Sequence, residues 1–190
     1  MRLMFSPFAL TTALALGLLL AAPAQAWELA GSKQISVLTR DQQRLAIGTV
    51  DFLPDAQGGA RFTLHMDHAL FHDHFLSMKE FKCLESPDEV LCHVPYPYRQ
   101  PGQVSATDFA WLEHSLLFLF KQPRDFGAKL WNGLYFRLAR DADGLVGRPQ
   151  AVDLNLISAP PDDLNTPPYD ANTRDDVAEG SHWITQIQIR

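Results

Sequence analysis

The strongest constraint on the backbone comes from two cysteines placed on either side of a short turn. Cys83 and Cys92 flank Ser86-Pro87-Asp88-Glu89 in the run from Lys79 to Val94. Apolar and polar residues on each side of those four suit two strands joined by a four-residue connection. If Glu85 faces Val90, an antiparallel register sets Leu84 opposite Leu91 and Cys83 opposite Cys92. Directly opposed residues lie about 4.5 to 5.5 Å apart between Cα atoms, within reach of a disulfide. The spacing is unlike the C-x-x-C arrangement that tunes thiolates for redox work, so the pair reads as a structural staple.

Such a bond needs an oxidising compartment, and the first 26 residues supply the address. Arg2 precedes an apolar run from about Ala9 to Ala22, and Ala24-Gln25-Ala26 offers the small residues that a signal peptidase cleaves after. The run is short for a bilayer span. The expectation is a cleaved signal peptide at 1–26, Trp27 as the first mature residue, a periplasmic location and no transmembrane anchor after cleavage. Residues 27–190 are then expected to form a single globular domain.

Composition narrows the partners. Sixteen Lys and Arg stand against 22 Asp and Glu, for a net charge of −6. Loss of residues 1–26 removes Arg2 and no acid, which makes the balance more negative. Nucleic-acid binding needs clustered bases, so a nucleic-acid partner is not expected. An acidic, Pro-rich stretch at about 160–181 reads as a long surface loop.

Period-two alternation predicts strands through residues 34–67, with Gly48 as a bulge between Ile47 and Val50. Offsets of four and three from Phe71 to Phe75 and Met78 predict a helix beginning at an Asp67 cap. A second helix is expected from Ser105, carrying Phe109, Leu112, Leu116, Leu119 and Phe120, to a stop at Pro123. Strands follow at Leu134–Ala139, around Val152, Leu154 and Leu156, and over the last nine residues, with Trp183, Thr185, Ile187 and Ile189 on one face. The sum is an α+β chain, mainly antiparallel β: about eight short strands in a twisted sheet or partly closed barrel, with one or two covering helices.

Four of the seven histidines fall between His65 and His74. On a helix His68 and His72 would share a face at i and i+4, the spacing that grips one ion, with His65 as third ligand and Asp67 as a further oxygen. Zinc or copper would suit imidazole. No Glu lies between His68 and His72 to act as a base, so the zinc-peptidase motif is missing. Glu113 and His114 are neighbours on the second helix and point in different directions rather than forming a dyad. There is no G-x-S-x-G elbow and no phosphate loop. The aromatic side chains of Tyr96, Tyr98, Trp111, Trp131 and Trp183 could line a ligand pocket. The expectation is a non-enzymatic binding module for a small ligand or an envelope protein. The alternative is a metal-binding protein or metal-assisted hydrolase centred on His65, His68 and His72.

Overall fold

The computed structural model describes residues 27–76 and 79–190. The expected signal peptide, and Met78 at the end of the expected first helix, lie outside the described residues. Twelve strands form one antiparallel sheet: β1 (Gly31–Thr39), β2 (Arg44–Pro54), β3 (Ala60–Met66), β4 (His72–Leu76), β5 (Lys79–Glu85), β6 (Val90–His93), β7 (Gln103–Val104), β8 (Phe118–Lys121), β9 (Gly133–Asp141), β10 (Gly144–Val152), β11 (Asp175–Asp176) and β12 (Ile184–Ile189). Their order is β4-β5-β6-β8-β9-β10-β12-β1-β2-β3-β7, with β11 beside β10. The sheet stays open between β4 and β7. Eight strands is therefore an undercount, but the antiparallel β-rich class holds. No helix among the described residues is long and apolar enough to cross a membrane.

The cysteine hairpin takes the register its sequence implies. Cys83 pairs with Cys92, Leu84 with Leu91 and Glu85 with Val90, and the two sulfurs are bonded. At Gly48 the β1–β2 register shifts, since Ile35 faces Gly48 while Ser36 faces Ala46. A Cβ on Gly48 would meet the His65 carbonyl oxygen at 2.3 Å, so only glycine lets β3 approach there.

Neither expected helix forms as read. The first gives a 3-10 turn, His68–Leu70, capped by the Asp67 carboxylate, and then strand β4. Phe71 and Phe75 are four residues apart, a spacing that serves a period of two as well as 3.6, and pairing with β5 decides between them. The second shrinks to α1 (Ala110–Ser115). Leu116-Leu117-Phe118-Leu119-Phe120 is apolar without a break, which suits a strand buried on both faces, and β8 lies between β6 and β9. Ser105 Oγ accepts from the Thr107 and Asp108 amides in a turn before α1 rather than opening a long helix.

Two further boundaries move. The strand expected around residues 152–156 lies earlier, as β10, and Leu154–Ile157 is a 3-10 turn. Pro149 sits within β10 opposite Phe136, beyond the reach of β12 and before β11 begins, a gap where no neighbour needs its missing N–H. In β12 a register shift beside Leu38 turns Ile184 inward in place of Thr185. The acidic loop holds only β11 as strand, yet it carries Tyr169 into the interior at 2 % exposure.

Each sheet face carries apolar packing. Ile35, Val37, Leu134, Phe136, Ile187 and Ile189 gather on one side with Leu112 of α1. Cys83, Cys92, Leu119, Tyr135 and Val152 gather on the other with Trp111, Leu154 and Tyr169. A fully buried Leu, Ile or Phe contributes about 1.5–3 kcal/mol relative to exposure, so this double covering holds the strand order.

On the chain-entropy model the short disulfide loop contributes about 2.5 kcal/mol. A Cys83→Ser/Cys92→Ser protein is expected to melt about 5–10 °C below the oxidised parent, a drop that reductant should reproduce. Identical melting curves would remove the stabilising role.

Candidate functional site

Strand β9 is the element around which the site is built. Its ladder to β8 consists of Phe118↔Leu134 and Leu119↔Gly133, so beyond Leu134 that edge of β9 has no strand beside it among the described residues. Helix α1 fills the opening. Glu113 accepts from the Leu138 amide through Oε1 at 2.6 Å and from the Tyr135 hydroxyl through Oε2. Burial pushes the Glu113 carboxyl above its ordinary range, while the two hydrogen bonds and the nearby Arg174 charge pull the other way. Tyr135 is held well above the usual phenol range, first by burial and then by the Glu113 charge. The Arg174 guanidinium lies 4.6 Å from the Tyr135 ring.

His114 is fully buried and its two nitrogens are both engaged. Nε2 accepts from the Tyr169 amide at 3.2 Å, so the ring proton is on Nδ1, which donates to the Ala110 carbonyl at 2.6 Å. The ring stacks on Tyr169 and meets Tyr96, Trp111 and Tyr135. Burial pushes its pKa down to about 4. A neutral imidazole with both nitrogens used is a packing element, with no lone pair left for a base or a metal.

The aromatic set divides. Tyr96, Tyr98 and Trp111 come together, with Tyr96 5.5 Å from Tyr98 and 5.8 Å from Trp111 between ring centroids. Tyr96 and Trp111 are buried in the second core, where they pack on each other and on His114. Trp131 stands elsewhere and is 64 % exposed, while Trp183 packs at the edge of the first core and donates its amide to Glu89. The five do not form one pocket.

The histidine set also separates. His65 on β3 bonds Asp51 at 3.1 Å, and His68 sits edge-on to Phe71 in the 3-10 turn. His72 opens β4, directly across from Cys83, and Asp67 is spent on the Ala69 amide. With no helix there, the i, i+4 geometry that would have joined His68 to His72 is gone. Among the described residues, no group of three or more His, Cys, Asp or Glu is placed to hold a metal ion.

The open feature lies on the outer face of β9, β10, β12 and β1. A cleft of about 1380 Å³ runs there, lined on one side by residues 176–180 and 182. Its floor follows from strand alternation. Leu134, Phe136 and Leu138 face the first core, so Arg137 faces out, directly opposite Arg148 of β10. Gln150 continues that row on β10, and Gln188, paired with Val146, extends it onto β12. Five arginines line the cleft: Arg40, Arg137, Arg140, Arg148 and Arg190. Arg40 is paired with Asp88, Arg140 donates to the Ala106 carbonyl, and Arg190 is paired with Asp141. Arg137 and Arg148 are exposed and, among the described residues, make no ion pair or hydrogen bond through their side chains. Asp176 and Glu179 also line the cleft, and Asp176 is taken by Gln150 Nε2 at 2.7 Å.

The 180–183 segment on that side is tied to the cysteine hairpin. Glu89 in its turn accepts from His182 Nδ1 and from the Trp183 amide, each at 2.6 Å, and Arg40 joins Asp88 to the Gly180 carbonyl. The arginine pair was not singled out from the sequence. The turn Asp141-Ala-Asp-Gly144 held the signal, because counting back along both strands from that turn sets Arg137 against Arg148.

Comparison with family models, curated proteins and solved structures finds no match to this chain.

His114 makes stability depend on pH. Its folded pKa, about 4, lies below the unfolded value near 6.5, so its contribution is complete above pH 6.5 and is lost as pH falls toward 4. His93, also lowered by burial, acts in the same direction, and the raised carboxyl of Glu113 acts in the opposite one. Melting between pH 7 and 4 should therefore show a shallower decline for His114→Asn than for the parent, by at most about 3 kcal/mol across the window. Parallel profiles would mean that His114 is not held neutral.

Proposed function

We propose that this chain is an exported binding protein whose cleft takes a small anionic ligand. The reading rests on Arg137 and Arg148, two cations placed directly across a strand ladder with no ion-pair partner on either among the described residues. Like charges opposed across strands cost on the order of 0.2–1 kcal/mol. An anion between the two guanidinium groups turns that repulsion into charge-assisted hydrogen bonds, each contributing about 1.5–3 kcal/mol. Guanidinium forks match carboxylate, sulfate and phosphate alike. In a chain of net charge −6, such a concentration of arginine on one concave surface is a local exception, and the field there attracts anions.

Two other features support it. The cleft is larger than the roughly 300–1,000 Å³ usual for small-molecule sites, which suits an elongated ligand. The buried His114 and Glu113 are committed to holding the fold, which favours binding over acid–base catalysis. Export accounts for the disulfide, because such bonds persist in oxidising compartments.

The export half is tested by the intact mass of protein recovered from its own cell envelope. Processing to Trp27 with both cysteines oxidised is expected; a retained residue 1–26 segment would sink it. The binding half is tested by thermal shift at low salt with citrate, sulfate and phosphate. At least one anion should raise the melting temperature of the parent and fail to raise that of Arg148→Gln. Without ligand, Arg148→Gln should melt at or slightly above the parent, because the repulsion is relieved. No anion-dependent shift in the parent would end the proposal.

A further inference from the structure

Resting on that reading, we infer that the ligand of the cleft is a linear oligophosphate, an unbranched anion long enough to run across the strands from Arg137 to Arg44. The strand registers set out its path. Arg137 of β9 stands opposite Arg148 of β10. One residue before Arg148, Gly147 faces Ile187 of β12, so the line through Arg148 continues onto Gln186. Gln186 faces Leu38 of β1, and Leu38 faces Arg44 of β2. The adjoining line runs through Leu138, Ile187, Val37 and Leu45, all of which pack in or on the first core. Alternation therefore turns Arg137, Arg148, Gln186, Leu38 and Arg44 to the outer face together.

Arg44 is exposed and, among the described residues, makes no ion pair or hydrogen bond through its side chain. Three unpaired guanidinium groups thus share one line across the sheet, two at one end and one at the other. With strands about 4.8 Å apart, Arg148 and Arg44 are three spacings or about 14 Å from each other, and Arg137 and Arg44 four spacings or about 19 Å. A small anion held between Arg137 and Arg148 leaves Arg44 without a counter-charge, whereas an elongated one meets all three. A tetrahedral phosphate presents oxygens on several sides and can take a fork from each of two facing guanidinium groups; a lone carboxylate has two oxygens, which one fork uses up. Because an oligophosphate is charged at every unit, it fits unequal gaps of one strand and three without a matching repeat. Between the arginines the line holds Gln186 and Leu38, with no aromatic platform of the kind on which single-stranded nucleic acid stacks its bases. Asp176 and Glu179 line the cleft from the 176–180 segment, and Asp176 bonds Gln150, beyond Arg148 on β10. Those carboxylates repel an anion from that side and keep it on the arginines.

Isothermal titration of the mature protein at low salt with orthophosphate, tripolyphosphate and a medium-chain polyphosphate tests the length. Affinity per chain is expected to rise along that series, the medium chain binding at least tenfold more tightly than orthophosphate. Arg44→Gln should cost the medium chain at least fivefold, leave orthophosphate affinity unchanged, and make the salt dependence of medium-chain binding shallower by about one unit of log K per log salt. Arg99→Gln, which removes an exposed arginine from the connector between β6 and β7, should change none of these. Equal losses in Arg44→Gln and Arg99→Gln would reduce the gain to diffuse charge and overturn the arginine line. Polyaspartate or single-stranded DNA of matched charge binding as tightly as the medium chain would overturn the choice of phosphate. Medium-chain affinity no greater than that of orthophosphate would overturn the length and leave the anion cleft standing. Absence of binding by any anion would remove the cleft reading and the oligophosphate with it.

Discussion

The contact on which the rest depends is the Glu113 carboxylate on the open edge of β9. Beyond Leu134, β8 has turned away and strand β9 runs on with its amides unpaired on that side. Glu113 takes the Leu138 amide and the Tyr135 hydroxyl, so one side chain satisfies a strand edge and locks the helix to it. The cost of burying the carboxylate shows in its raised pKa, and three hydrogen-bond or charge partners offset it. Arg137 lies between the two residues that Glu113 holds. Its outward direction is a consequence of Tyr135 and Leu138 being fixed on either side.

The cleft inherits its geometry from two distant parts of the chain. Its floor is set by alternation in β9 and β10, where Leu134, Phe136 and Leu138 feed the first core and Arg137 and Arg148 stand on the opposite face, beyond the part that Tyr135 and Val152 bury in the second core. One of its sides is set by the cysteine hairpin, whose turn residues Asp88 and Glu89 bind Arg40, His182 and the Trp183 amide. The disulfide thus does more than shorten the unfolded chain. It steadies the strands that carry the turn on which the 176–182 segment rests.

Local chemistry made some of this readable in advance. The Cys83–Cys92 register followed from a four-residue turn and two flanking strands, which leave one sensible pairing. The bulge at Gly48 followed from a change of phase in the alternation. The helices that the spacing suggests fail to form for a physical reason: Phe71 and Phe75 satisfy two periods at once, and the apolar run from Leu116 to Phe120 satisfies none. In both cases pairing with a neighbouring strand decided the state, and that partner is remote information. The histidine cluster depended on the first helix and dispersed with it. Glu113 and His114 take separate hydrogen-bond partners, and the depth of their burial is not visible in the helix that carries them. The elements that bury them, β9 and Tyr169, lie between 22 and 55 residues away in the chain.

What the amino-acid order determined alone was the local repertoire: antiparallel strands, the hairpin register, the turn at Asp141–Gly144 and an acidic charge balance. Those properties come from interactions between near neighbours, for which a period and a turn are sufficient. The tertiary structure decided the strand order, the neutral state of His114 and the use of Glu113 as an edge cap. It also decided that Arg137 and Arg148 share a cleft with the 176–182 segment that is tied to the hairpin. Burial and opposed charge arise only when segments far apart in the chain are packed together, and no window of sequence contains them.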